Sequence, residues 1–248
     1  MGKMICIKRS PRSVRPCIIK PILFNTDMVR AILEGKKTQT RRLVKPHYHD
    51  GDAGFNVVTM ANTGAFCYIE YYDENERSTE RRMNPPYNRD DILWVRETWY
   101  KDVSRYIYRA NYSENEKFFE NGNEVTMIWH PSIHMPKEAA RIFLRVKDVR
   151  AERLQDITEK DIRAEGSVDK CCMCSFNRGF DDHKIDCSKG IERAVDCPLH
   201  MMHPDIGFFG LWDSTIPKGD RELYGWAANP FVWVISFVRV DKPAGWGD

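Results

Sequence analysis

The sequence predicts a mostly β fold of the α+β class, a small β-barrel with a few short helices beside it. Four runs rich in β-branched and aromatic residues have the composition of strands, at 92–99, 105–111, 140–154 and 231–240. The helical patterns between these runs are short. Five of the eight cysteines fall between 171 and 197 and mark an insert. With 248 residues, 42% of them hydrophobic, the chain can build the core of one such domain.

The predicted domain has an arm, an insert and a tail. Residues 1–19 carry five cations and no acidic residue, which indicates a loose basic N-terminal arm. The domain itself spans 20–240, and a cysteine-rich insert occupies 167–204 within it. Residues 241–248 form a C-terminal tail.

Three helices are predicted in the domain. The first, at 26–35, follows a strand at 20–25, begins at Thr26 as N-cap and ends at Gly35. The second, at 158–166, has Thr158 as N-cap, and Asp161 reaches back in a capping box. A third is expected at about 207–216. Residues 47–89 are rich in Gly, Asn, Asp and Tyr and are predicted to form long loops or a weak hairpin.

Charge and hydropathy narrow the class of protein. Lys and Arg total 38 against 36 Asp and Glu, and a net charge of +2 does not by itself identify a nucleic-acid-binding protein. No run of about 18 apolar residues occurs, and the N-terminus lacks the apolar core of a signal peptide. We therefore expect a soluble, cytoplasmic protein with no membrane partner.

The insert carries the strongest local motif. Six residues have the spacing of metal ligands: Cys171, Cys174, Cys187, Cys197, His200 and His203. A tetrahedral zinc site needs four thiolate or imidazole ligands, and the metal would supply folding energy that this polar segment lacks. The favoured ligands are the four cysteines of this set, with His200 as an alternative to Cys187. Four protein ligands close the site, so the zinc is predicted to be structural. Free surface thiols are the alternative.

A second motif is the basic and hydroxyl-rich segment 35–42, GKKTQTRR. If it continues as a strand, Thr38, Thr40 and Arg42 share one face, and Lys37 lies in the turn. Together with Lys36 and Arg41, such a cluster suits a phosphate or a planar nucleobase. A solvated edge strand with protective charges is the alternative.

Two further features complete the candidate site. In the strand at 91–99, the side chains of Trp94 and Arg96 lie on the same face, because they are two residues apart. If this face is exposed, they would form a stacking platform for a base. The alternative is that Trp94 belongs to the core, as a tryptophan in a barrel more often does. Glu165 lies at the end of the second helix, where the negative end of the helix dipole disfavours a carboxylate. Such a position is tolerated on a surface and useful in a site.

Several segments together resemble the ASCH domain, a member of the PUA-like β-barrel group associated with RNA. They are AILEGKKTQTRR, DDILWVRETW and LQDITEKDIRAEG. KPILFNTDMVRAILEGKKTQTRR, HPSIHMPKEAARIFLRV and YGWAANPFVWVISF are similar to the longer ASCH-type proteins of phages and prophages. The resemblance covers roughly 20–240, with the cysteine insert as an elaboration.

The resemblance implies two functions. Some small bacterial ASCH proteins are amidohydrolases that remove the acetyl group of N4-acetylcytidine with a Lys, a Thr and a Glu, and these positions correspond here to Lys37, Thr40 and Glu165. The alternative is a non-catalytic module that binds RNA or DNA through the arm, Lys36, Arg41, Arg42 and the Trp94 platform. A ribonuclease ranks third. The chain is more than twice the size of a minimal ASCH amidohydrolase, so the substrate does not follow from the fold.

Overall fold

The computed structural model describes residues 4–7, 18–60, 67–103, 105–113, 116, 118–120, 123–166 and 204–246. The strands are β1 (Met4–Ile7), β2 (Ile19–Leu23), β3 (Gln39–Leu43), β4 (Gly54–Met60), β5 (Cys67–Tyr72), β6 (Ser78–Met83), β7 (Ile92–Arg96), β8 (Trp99–Lys101), β9 (Tyr106–Tyr108), β10 (Phe118–Glu120), β11 (Asn123–Val125), β12 (Phe143–Arg153) and β13 (Phe231–Val240). The α-helices are α1 (Thr26–Leu33), α2 (Glu159–Ala164), α3 (Pro204–Thr215) and α4 (Arg221–Tyr224).

These elements make a mostly β protein with few short helices, in agreement with the predicted α+β class. Across the described ranges, the strands pair into open sheets and no closed barrel forms. The described residues group into two compact units. Unit 1 draws on Met1–Arg12, Lys37–Asn88 and Asp148–Ser236, and unit 2 on Ser13–Lys36, Arg89–Lys147 and Phe237–Asp248.

Unit 1 contains a four-stranded sheet in the order β1-β4-β5-β6. It also contains β3, the first part of β13 and the last part of β12. Strand β3 pairs antiparallel with β13, with Thr40 opposite Ile235 and Arg42 opposite Trp233. Its helices pack on an apolar cluster made of Leu154, Ile162, Phe208, Trp212, Ile216, Val232 and Val234. This cluster anchors α2 and α3, and with them the site described below.

Two parts of unit 1 differ from the sequence prediction. Within the predicted basic arm, Met4–Ile7 forms a strand that pairs parallel with β4, because this short apolar run suits a sheet. The region predicted as loops or a weak hairpin contains β4, β5 and β6, joined by antiparallel pairing. Its core residues, such as Val57, Val58 and Ile69, are fully buried, although Gly, Asn and Asp are frequent in the region.

Unit 2 contains β2, β7 and the first part of β12, in this order; β2 runs parallel to β7, and β12 runs antiparallel to β7. The N-cap of helix α1 lies one residue before Thr26, the predicted cap. The N-cap is Asn25, whose side chain accepts a hydrogen bond from the Met28 N–H at 2.9 Å.

A search of the described residues for a helix with the length and apolar character of a membrane span finds none.

Candidate active site

Local structure brings the start of β3 to the end of α2. The Thr158 side chain and the Asp161 carboxylate form a reciprocal capping box that begins α2, and Glu165 is the C-cap residue. Lys37 and Glu165 form an isolated antiparallel bridge, and the Thr38 N–H donates to the Ala164 carbonyl at 2.8 Å. The backbone therefore holds the Lys37 and Glu165 side chains next to each other.

The Lys37 ammonium is completely buried and is held by Glu165. Its Nζ donates to Glu165 Oε2 at 2.7 Å and to the Glu165 backbone carbonyl at 2.9 Å. The exposed fractions of the two side chains are 0% and 5%. Burial lowers the pKa of Lys37 below its ordinary value. The negative charge of Glu165 raises this pKa, and the positive charges of Arg42 and Arg41 lower it further. A buried lysine with a lowered pKa is suited to accept a proton.

Arg41 holds the second oxygen of the same carboxylate. Its Nη1 donates to Glu165 Oε1 at 3.0 Å, and its Nη2 donates to Glu152 Oε1 at 2.6 Å. Asp161 Oδ2 lies 3.6 Å from Arg41 Nη2. With one oxygen on Lys37 and the other on Arg41, the Glu165 carboxylate is fixed in a single orientation.

Neighbouring groups that are partly exposed extend this cluster into an ionic network of unit 1. Arg150 donates to Glu152 Oε2 at 2.8 Å and to Asp161 Oδ1 at 3.3 Å, and Gln39 Nε2 donates to Asp161 Oδ1 at 3.0 Å. Burial raises the pKa of Asp161, but hydrogen bonds from Thr158 and Gln39 and the Arg41 charge outweigh it and lower the pKa to about 2. Three cations of this network, Lys37, Arg41 and Arg150, face three carboxylates, Glu152, Asp161 and Glu165.

Thr40 and Arg42 lie on the other face of β3. Because side chains alternate along a strand, the Gln39 and Arg41 side chains point to the network, whereas Thr40 and Arg42 point away from it. Thr40 is buried opposite Ile235. Burial lowers the pKa of Arg42, with smaller opposing contributions from Tyr87 and Glu165.

The other residues predicted to bind nucleic acid belong to unit 2. Lys36 pairs with Glu34 at 2.9 Å on the surface. Trp94 packs against Trp246, with ring centroids 5.7 Å apart, and the Arg96 guanidinium lies 5.5 Å from the Trp94 ring. The predicted pairing of Trp94 with Arg96 is therefore present, and Trp94 also contributes to packing.

Sequence reasoning missed the outer part of the network. Arg150 and Glu152 are separated by one residue on β12, so strand alternation places both on one face, and this spacing was a usable signal. Asp161 was recognised as a helix cap but not as a partner of Arg41.

The predicted zinc ligands of the insert lie outside the described residues. Among the described residues there is no group of three His, Cys, Asp or Glu side chains able to hold a metal ion.

Comparisons of the chain with protein-family models, with curated proteins and with solved structures find no match.

Proposed function

We propose that this chain is an ASCH-type protein of the PUA-like group, and that it hydrolyses the exocyclic amide of an N4-acylated cytosine in a nucleoside or nucleic acid. The observation that carries the proposal is the buried pair of Lys37 and Glu165, in which burial lowers the pKa of the lysine. Lys37 acts as the base, Thr40 as the nucleophile and Glu165 as the proton relay.

In the proposed reaction one proton moves from Thr40 to the leaving amine. Neutral Lys37 takes the proton of the Thr40 hydroxyl by way of one water molecule, because the Thr40 side chain points away from the ion pair. Thr40 Oγ1 then attacks the acyl carbon. The bond from that carbon to N4 of cytosine breaks, while the proton passes from Lys37 across the 2.7 Å contact to Glu165 and on to the leaving amine. Water then hydrolyses the acyl-threonine, and the products are a carboxylic acid and the free cytosine amine.

The burial of the central cations supports hydrolysis over a purely binding role for this site. Lys37 and Arg41 are buried, and carboxylates already neutralise them. A phosphate-binding cluster needs cations that reach the phosphate oxygens. We therefore assign these two side chains to proton transfer and to the positioning of Glu165.

The experiment is incubation of the purified chain with N4-acetylcytidine, with cytidine release followed by chromatography. Release is expected to rise with pH as Lys37 loses its proton and then to level off. Lys37→Arg is expected to abolish release, because arginine keeps its charge and cannot act as a base. The matched control is Lys160→Arg, an exposed lysine on α2, which should leave the rate unchanged. Turnover by Lys37→Arg equal to that of the control would refute the assignment of the base.

We also propose that the insert binds a structural zinc through Cys171, Cys174, Cys187 and Cys197. Its support is the spacing of these residues. The metal content of the purified chain tests it.

A further inference from the structure

A second group of side chains in unit 1 forms a row of aromatic rings and cations that ends at the surface in the exposed ring of Tyr48. We call it the Tyr48 surface, and its members are Tyr48, Phe55, Tyr71, Arg81, Arg153 and Phe231. Neither the ion pair of Lys37 nor the zinc motif includes any of them.

Ring contacts connect the members of this surface in a row. The Tyr48 ring centroid lies 5.9 Å from that of Tyr71, in an edge arrangement, and 6.4 Å from that of Phe55. Phe55 in turn packs edge-on against Phe231 at 5.6 Å. Tyr48 stands out from this row, because 53% of it is exposed to solvent. An exposed ring supported by buried rings offers a rigid face on which a flat group can stack.

Cations lie at both ends of the row. The Arg81 guanidinium is 4.6 Å from the Tyr71 ring centroid, and the Arg153 guanidinium is 4.0 Å from that of Phe231. Arg81 is also paired with Asp52. Exposed Lys45 lies three residues before Tyr48, with its Nζ 5.3 Å from the Tyr224 ring. Lys45, Arg81 and Arg153 thus place positive charge beside the rings, which suits a negatively charged partner with flat groups.

We propose that the Tyr48 surface binds single-stranded nucleic acid, with one base stacked on Tyr48 and neighbouring phosphates attracted by Lys45, Arg81 and Arg153. Aromatic rings next to cations are the usual means by which proteins hold single strands, since every base has a face that stacks. In a duplex the bases are already stacked on each other, so this surface selects the single-stranded form.

This surface lies along the same sheet face as Thr40. Thr40 is opposite Ile235 on β13, and Phe231 is four residues from Ile235 on the same side of that strand. At about 3.4 Å a residue, the separation along β13 is about 14 Å. Thr40 and Ile235 are buried on this face, so the bound strand lies against Tyr48 and does not reach Thr40. The inference goes beyond the proposed function and does not depend on it.

The proposal is tested by measuring the affinity of the 248-residue chain for a labelled 12-nucleotide oligocytidine by fluorescence anisotropy. Tyr48→Ala is expected to weaken binding about 5- to 150-fold, the loss of one stacked base, and Tyr48→Phe should retain affinity within about twofold, because phenylalanine keeps the stacking ring. Lys45→Gln should reduce the slope of log binding constant against log salt concentration by about 0.7 in magnitude. Lys147→Gln, at an exposed lysine of unit 2, should leave this slope unchanged. Ribose and deoxyribose versions of the oligomer show which sugar is preferred.

Two results would overturn the proposal: equal affinity of the wild type and Tyr48→Ala, or duplex bound as tightly as the single strand. The measurement needs no acyl group and no turnover, so its outcome is separate from that of the hydrolysis assay. If binding depends on Tyr48 but no cytidine is released, the proposed function is refuted and the proposal for the Tyr48 surface is supported. If cytidine is released but binding does not depend on Tyr48, only the proposal for the Tyr48 surface is refuted.

Discussion

Replacing Glu165 by glutamine is expected to lower the free energy of unfolding by about 3–5 kcal/mol at pH 6, because it leaves the Lys37 ammonium buried without its counter-charge. The structure sets this magnitude. The substitution weakens two charged hydrogen bonds, from Lys37 and from Arg41, each of which contributes about 1.5–3 kcal/mol. An exposed ion pair would contribute at most about 1 kcal/mol. Both side chains of this pair are almost completely buried, so the larger cost of breaking a buried ion pair applies.

The cost of Glu165→Gln is expected to shrink as the pH rises from 6 to 9. Glu165 opposes the fall in the pKa of Lys37 that burial causes, so its removal lowers the folded-state pKa further. The unfolded-state pKa stays near about 10.4. Between these two values the folded variant binds fewer protons than the unfolded chain, and its stability therefore rises with pH.

Urea unfolding at pH 6 and pH 9 measures both effects. Glu159→Gln is the matched control on the same helix: it removes the exposed ion pair between Glu159 and Arg163, whose side chains are 60% and 63% exposed, and should cost about 0.3–0.5 kcal/mol. A cost for Glu165→Gln no larger than that of the control, at both pH values, would show that the pair is not buried as described.

Three further predictions concern other parts of the chain. Thr158→Ala should cost about 1 kcal/mol by removing a helix cap and should raise the pKa of Asp161 from about 2, as followed by NMR titration; an unchanged pKa contradicts the role of Thr158. Burial raises the pKa of Cys67 to about 11, so alkylation of this thiol at pH 8, mapped by mass spectrometry, should be slow in native protein and fast in urea. Rapid native labelling would count against this. Elemental analysis should find about one zinc per chain, lost in Cys174→Ser, and metal-free wild type would refute the zinc motif.

The sequence predicted those features that depend on local pattern. Apolar and β-branched runs indicated strands where β7, β9, β12 and β13 lie, and the capping residues Thr158 and Asp161 marked the start of α2. These signals are readable because strand alternation and helix capping involve residues close together in the chain. For 54–83 the sequence predicted no more than loops or a weak hairpin, because the burial of these strands comes from long-range packing.

The chemistry of the candidate site was predicted by residue type, and its arrangement was decided by the tertiary structure. The sequence by itself determined that Lys37, Thr40 and Glu165 are present, and that Thr40 and Arg41 point to opposite faces of a strand. Only the fold brought Lys37 to Glu165 across 128 positions of sequence and enclosed both in a network with Arg41. Burial and distance through space control the pKa of a side chain, and both arise when α2 packs against β3, which no local pattern encodes.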